Sequence, residues 1–558
     1  MQRVLTTADM RDLEAAADQQ GVSYAQMMET AGTAIAGRVM TLLEEVWYLD
    51  HPRVLILVGT GNNGGDGLVA GRLLAERLKA AEREGQIVLA FLRMAETERG
   101  DLALRAKAAG CSSLDGTNGE ALRAAVAGAD VIVDALLGTG TRLPLRGEIV
   151  PMLQNVRHTV DALRAGKASA LHDVILPLEG DDLLSTHPYI IAVDVPSGMD
   201  ADTGVLAETP LAADETITFE AAKPGHFLFP AAEVVGHLAI ASLNLPPNLP
   251  EGSVQRTFVA NAAAMGEKLP KRPRSAHKGT FGKVLIIGGS ENYIGAPGLA
   301  ALGAYKVGAG LVTIAAPPAV VNALAAQMLE VTWLPLPNAK EEGRTISDAG
   351  ASIAYTNLPD YTAALIGPGM GRSFNAYGLF ETIFQHAGTN IPPLVIDADG
   401  LNILATRDEW WSLLPRRTIL TPHPGEMARL AGLDTEQHSG VALVQGRRLA
   451  LAREKAAQWG CVVALKGAFT VVADPDGEAV IIPFADATLA RAGTGDVLAG
   501  AIVGLLAQGL SPFEAAYVGA YVHGYAGSLA AEITPSVGVM ARDVAERLST
   551  AIERLMSL

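Results

Sequence analysis

The segment Arg491-Ala-Gly-Thr-Gly-Asp496 runs directly into Val497-Leu-Ala-Gly-Ala-Ile-Val-Gly-Leu-Leu506. Two glycines and a threonine let the backbone turn so that successive N–H groups converge. The run that follows is apolar on every side and reads as a buried helix. A helix start with bare amides carries positive dipole character and attracts anions. A carboxylate there is repelled by a phosphate unless it has a task. Asp496 has one if it takes the proton from a hydroxyl as that hydroxyl attacks a phosphoryl group. The competing reading makes Asp496 a simple cap after a tight turn.

A second constellation lies near the other end. The apolar run Val54–Val58 leads into Gly59-Thr-Gly-Asn-Asn-Gly-Gly-Asp-Gly67 and then into a helical stretch from Leu68 to about Ala80. The loop lacks the Gly-Lys-Ser/Thr ending of a P-loop, and its spacing is not that of the dinucleotide fingerprint. Val131-Ile-Val-Asp134 leads to Gly138-Thr-Gly-Thr-Arg-Leu-Pro144, and Ile191-Ala-Val-Asp194 leads to Val195-Pro-Ser-Gly198. Asn63, Asp134 and Ser197 offer oxygens at neighbouring strand ends. Hard cations take oxygen ligands, and one carboxylate suits a monovalent ion better than Mg²⁺ or Ca²⁺.

The elements that must position these residues are legible too. Further apolar runs are Ile87–Phe91, Val284–Ile287, Leu311–Ile314, Ala364–Ile366, Leu394–Ile396 and Val462–Leu465. Uninterrupted Val/Ile/Leu strands alternating with helices predict parallel sheets covered on both faces, with ligands at the strand ends. At 558 residues the chain is too long for one core. The proline-rich stretch Leu245–Gly252 is the predicted boundary, dividing 1–250 from 251–558. Hydrophobic content of 49% with 18% charged residues excludes a disordered chain. A formal charge of −17 argues against a nucleic-acid or acidic-membrane partner, so a phosphate must be held locally. Cys111 and Cys461 stand apart in apolar surroundings and read as buried thiols in a reducing compartment. No apolar run approaches a membrane span, and the expected location is the cytoplasm.

Leu5-Thr-Thr-Ala-Asp-Met-Arg-Asp-Leu-Glu14, Met28-Glu-Thr-Ala-Gly32, Gly61–Gly67 and Asp194–Gly198 resemble NAD(P)H-hydrate epimerase domains over nearly the whole N-terminal half. The resemblance implies a Rossmann-like three-layer α/β sandwich that binds K⁺ at Asn63, Asp134 and Ser197. It places the hydrated nucleotide along Asn62, Asn63, Gly64, Gly65, Asp66, along Gly138, Thr139, Gly140, Thr141, Arg142, Leu143, Pro144, and at Asp194, the proton acceptor. Lys223 stands where that family has a lysine, but in different surroundings, and is left out of the expected site. The stretch 165–187 is longer than the family shows, with no role implied.

In the second half come Ser275–Ser290, Gly295–Ala301, Gly367-Pro-Gly-Met-Gly371, Asp397–Asn402, Thr421-Pro-His-Pro-Gly-Glu-Met427 and Lys466-Gly-Ala-Phe-Thr470. With Gly493–Asp496 they resemble the ADP/ATP-dependent NAD(P)H-hydrate dehydratases, of ribokinase-like α/β fold, over roughly residues 255–558. Together the halves resemble the bifunctional repair enzymes. The resemblance implies that Asp496 deprotonates the hydrate's hydroxyl and that Ala296, Gly369, His423 and Asp496 face the hydrate. Lys466, Gly467, Ala468, Phe469, Thr470 and Gly495 would hold the nucleotide, and Glu426 would organise Mg²⁺. The implied partners are NADHX or NADPHX and ADP, in a homo-oligomer, without nucleic acid or membrane. The rival reading is a ribokinase-type small-metabolite kinase with a non-catalytic N-terminal binding domain.

Overall fold

Arg53–Val58 buries every residue but the first, as expected of a strand with helices on both faces. In the computed structural model it is central to a parallel sheet. The structure describes residues 1–94, 100–169, 188–249, 256–337, 346–372, 374–385, 391–433 and 439–558. The chain forms two compact units, residues 3–254 and residues 255–558 together with Met1–Gln2. The boundary expected at 250/251, the end of the stretch Leu245–Gly252 and residues 170–187 lie outside the described residues.

Across the first unit the strands run in the order Ser112–Asp115, Gln86–Phe91, Arg53–Val58, Val131–Ala135, Tyr189–Val193, Glu215–Phe219 and His237–Ala241, all parallel. The chain leaves Arg53–Val58 toward one edge and returns to its other side at Val131–Ala135. That reversal opens a crevice at the strand ends, where such sheets bind ligands. Two helices stand over it, Thr7–Gln19 and Tyr24–Thr41. Each starts with a capping box, Thr6 with Asp9 and Ser23 with Gln26.

The second unit repeats the pattern. Thr332–Pro335, Leu311–Ala316, Lys283–Ile287, Ala363–Ile366, Leu394–Ile396, Thr418–Leu420 and Val462–Leu465 lie side by side and parallel. The expectation of a wholly parallel sheet fails beyond them. Val471–Ala473 turns back antiparallel to Val462–Leu465, and Ala479–Ile481 is antiparallel to Val471–Ala473 in turn. The physical reason is the connection: Lys466–Thr470 is too short for the crossover a parallel pair requires.

Thr494–Ala507 is the buried helix the sequence predicted, with nearly all of it out of water. It packs on Gly295–Lys306 through bare backbone. A Cβ on Gly500 would lie 2.0 Å from the Ala300 carbonyl oxygen, and one on Gly303 would lie 2.4 Å from that of Val497. This close seam fixes where Asp496 emerges. Among the described residues no helix is long and apolar enough to cross a membrane.

Candidate active sites

In the first unit a cavity of about 630 Å³ opens at the crevice. Met10, Glu14, Met27 and Met28 of the two overlying helices face Asn62, Asn63, Asp66, Gly138–Thr141, Asp194 and Lys223 across it. Arg142, Leu143 and Pro144 do not line it. Gly64 and Gly65 serve packing instead: a Cβ would fall 2.1 Å from the Gly59 oxygen at the first and 2.6 Å from Met28 at the second. Only glycine lets the helix start this close to the strand end.

Asp134 and Ser197 meet directly, and Asn63 joins them through Leu137, whose carbonyl it holds and whose amide donates to Ser197. The Ser197 hydroxyl and amide donate to the two oxygens of Asp134 at 2.6 and 2.8 Å, and the Leu136 amide adds a third bond at 3.3 Å. The Asn63 amide donates to the carbonyls of Leu137 and Val193 at 3.1 and 2.5 Å. Asp134 is fully buried with neutral partners, and burial pushes its carboxyl up to about 6. This centre is rich in oxygen and short of positive charge.

Asp194 follows its strand in the left-handed region, φ 66°. Its carboxylate accepts from the Thr218 hydroxyl at 2.8 Å and from Lys223 Nζ at 2.5 Å. Lys223 is only 1% exposed and also reaches Thr218 at 2.8 Å. The sequence reading omitted this lysine, and the structure puts it in the cavity wall. The local surroundings misled: Lys223-Pro-Gly-His226 closes on itself, with His226 Nδ1 accepting from the Lys223 amide at 3.1 Å. Burial raises the Asp194 carboxyl, but Lys223 and Thr218 outweigh it and hold Asp194 below its ordinary value. Asp66 moves the other way, raised well above its ordinary value by burial and then by Asp194 and Glu14.

The second site is drawn from four strand ends. Lys466 Nζ lies 2.5 Å from Asp397 Oδ1 and 3.8 Å from Glu426 Oε2, and Thr421 donates to Asp397 at 2.8 Å. His423 caps the helix Pro424–Leu430: its Nδ1 accepts from the Gly425 amide at 3.0 Å, and its own amide donates to Glu426 at 2.8 Å. Its Nε2 lies 3.4 Å from Glu426 Oε1. His423 therefore holds its loop as well as standing in the site.

Asp496 is not a cap. Gly493 is the N-cap, in the left-handed region, with no side-chain bond across the turn. Burial, then Asp397, Asp399 and Glu426, raise the Asp496 carboxyl to about 7 although Lys466 opposes them. Glu426 is likewise pushed up to about 7 by burial, against Lys466. Gly369 sits against Ala296, where an added Cβ would be 3.0 Å away, and Gly371 donates its amide to Asp399 at 2.9 Å. These contacts link Ala296 and Gly369 to the acidic cluster through the loop Gly367–Gly371.

Next to the cluster is a cavity of about 300 Å³. Lys466, Gly467, Ala468, Thr470 and Gly495 line it as expected, with Phe484, Leu489, Leu498 and His523 forming an apolar side. Phe469 does not line it: its backbone is left-handed and its amide is tied to the Phe484 carbonyl at 2.9 Å. His523 was not legible from sequence, because it lies in the middle of the apolar helix Pro512–Ala531. Among the described residues no three His, Cys, Asp or Glu side chains are grouped to cage a metal ion.

Comparison with known proteins gives matches for both units. Residues 24–225 match the family described as YjeF-related protein N-terminus, and residues 284–550 match NAD(P)H-hydrate dehydratase. The bifunctional NAD(P)H-hydrate repair enzyme of Moorella thermoacetica is 34% identical over 561 residues, covering 99% of this chain and 97% of its own length. The corresponding enzyme of Escherichia coli is 32% identical over 543 residues, covering 96% and 91%. A solved ADP/ATP-dependent NAD(P)H-hydrate dehydratase from Bacillus subtilis, co-crystallised with ATP and Mg²⁺, is 29% identical. It covers 53% of this chain and 98% of its own, with a TM-score of 0.45.

Proposed function

The chain belongs to the bifunctional NAD(P)H-hydrate repair enzymes, and from that premise we propose how its two sites divide the work. The first unit interconverts the R and S hydrates of NADH and NADPH. The second dehydrates the S form at the expense of ADP, releasing AMP and phosphate. The observation that carries this division is that each unit holds a buried strand-end or helix-start carboxylate in an environment of its own, Asp194 held low in one and Asp496 raised in the other, and each fits the role of base there.

At the first site Asp194 is kept ionised by Lys223 and Thr218, so it is ready to accept a proton at neutral pH. The hydrate's hydroxyl stands next to the ring nitrogen, and Asn62, Asp66 and Gly138–Thr141 would position that ring against Asp194. Asn63, Asp134 and Ser197 fit K⁺, because a fully buried carboxylate with only neutral partners lacks a counter-charge. Bound there, K⁺ would supply that charge and brace the loops carrying Gly138 and Asp194.

At the second site Asp496 takes the hydroxyl proton as the oxygen attacks the β-phosphoryl of ADP. The bond to AMP breaks as the new P–O bond forms. The ring nitrogen lone pair then expels phosphate, and loss of a neighbouring ring proton completes the reduced nicotinamide. Hydroxide leaves poorly and phosphate leaves well, which is why the nucleotide is consumed. The Gly493–Gly495 segment at the start of the helix Thr494–Ala507 would stabilise charge on the transferred group, with the Thr494 amide itself tied to the Arg491 carbonyl. Glu426 fits as a partial ligand for Mg²⁺, which takes one or two carboxylates plus phosphate oxygens and adds charge stabilisation. Burial raises both Glu426 and Asp496 and the neighbouring carboxylates add to it, which supports that reading.

The test is to incubate pure protein with mixed hydrate epimers, with and without ADP, and to follow reduced nicotinamide and phosphate. Nucleotide-dependent recovery of both epimers with phosphate release is expected. A stable phosphoester product would overturn the assignment in favour of a small-metabolite kinase.

A further inference from the structure

Arg448 opens the helix Arg448–Trp459 and is 5% exposed. Its Nη2 donates to the carbonyls of Leu465 and Lys466 at 2.9 and 3.1 Å, and its Nη1 donates to Gln445 at 2.8 Å. Among the described residues no carboxylate pairs with it, and its Nε is buried without a partner. An unpaired buried guanidinium is costly to a fold. This one lies directly beneath the turn Lys466–Thr470. A Cβ on Gly467 would be 3.0 Å from Nη1.

The consequence for the turn is specific. Arg448 holds the two carbonyls that enter it. The amides that follow, on Gly467 and Ala468, have no acceptor among the described residues, and both residues line the cavity. Gly467 is left-handed at φ 136°, which lets the peptide planes change direction at this point. Carbonyls are thus drawn back while amides stay available, with a positive charge behind them. Burial lowers the guanidinium only to about 10, so it is cationic at neutral pH.

We propose that Arg448 is a positioning residue for the nucleotide's phosphates: it acts through the Lys466–Thr470 turn, holding its carbonyls away from the anion and placing an uncompensated charge behind its free amides. This deepens the assignment of that turn to the nucleotide and rests on it. Because Arg448 does not enter the cavity, its effect should follow the phosphate charge and spare the nucleoside.

The experiment uses the full chain and calorimetric titration with ADP and, separately, with adenosine. Arg448→Met should weaken ADP by about tenfold to a hundredfold while leaving adenosine within about twofold. In steady state the KM for ADP should rise, with kcat and the KM for the hydrate retained. Arg448→Lys keeps the charge without the forked pair of bonds and should lie between the two. If the methionine variant fails to fold, the lysine variant carries the same test, with ADP weakened and adenosine unchanged. Equal losses for ADP and adenosine, or no loss for ADP, would overturn the inference. A wild-type protein that binds no ADP at all would instead overturn the nucleotide assignment beneath it.

Discussion

The two units share a strand order but treat the carboxylates proposed as their bases in opposite ways. In the first, Asp194 is neutralised by Lys223 and stays below its ordinary range. In the second, Asp397, Glu426 and Asp496 share Lys466, and Glu426 and Asp496 are pushed up to about 7. Burial is the first cause for Asp194, Glu426 and Asp496 alike, so the share of a cation's charge that each receives decides the sign. Lys223 balances Asp194 within the protein. The second site holds more carboxylates than Lys466 can balance, which fits the nucleotide and metal ion proposed for it. Placement differs as well. The first site uses the crevice where the strand order reverses, whereas Asp397, Glu426 and Lys466 lie at strands away from the corresponding reversal between Lys283–Ile287 and Ala363–Ile366.

The sharpest way to break this comparison is to remove one base at a time. Asp496→Asn should cost about 10²–10⁴ in nucleotide-dependent dehydration and leave epimerisation intact. Asp194→Asn should do the reverse. Both rates are read from the same chain, and a variant that loses both would mean the sites do not work separately.

Lys223→Met tests the counter-charge. It leaves Asp194 buried without its cation, which should destabilise the first unit by about 3–5 kcal/mol. Epimerisation should fall, while dehydration of the S hydrate persists. Chemical denaturation monitored alongside both activities would check this, and an unchanged first transition would refute it.

A pH series sharpens the contrast further. Asp496 must be ionised to accept a proton, and its carboxyl is raised to about 7. The kcat/KM for ADP should therefore be full above that pH and fall about tenfold per unit below it. Asp194 is held low, so epimerisation at saturating K⁺ should keep its rate across the same window. Parallel acid limbs for the two activities would contradict the different charge balance.

The smallest effect concerns the monovalent ion. Replacing K⁺ by Na⁺ should reduce epimerisation several-fold without touching dehydration, and Asp134→Asn should weaken ion and substrate binding together. Equal rates in the two salts would remove the ion from the first site.

Much of this was legible because it is local. Val54–Val58 or Leu394–Ile396 is a strand by composition, and Thr494–Ala507 is a buried helix by its apolar run. The strand-end motifs follow because parallel strands bring their ends to one edge. Strands carrying polar residues were missed, Glu215–Phe219 and Ser112–Asp115 among them, since alternation over four or five residues carries little signal. The antiparallel turn-back after Val462–Leu465 was legible in principle from the short Lys466–Thr470 link, but the reading followed the prevailing parallel pattern.

The amino-acid order by itself determined the two α/β units and the edge on which each candidate site lies, because periodicity and strand-end motifs act over a few residues. Tertiary structure alone decided which charges meet. Lys223 reaches Asp194 across 29 residues, Lys466 reaches Asp397 across 69, and Arg448 finds the carbonyls of Leu465 and Lys466 rather than an acid. Such pairings depend on sheet order and helix packing. Electrostatic balance in a buried site is set by distances of a few ångströms that the spacing along the chain does not encode.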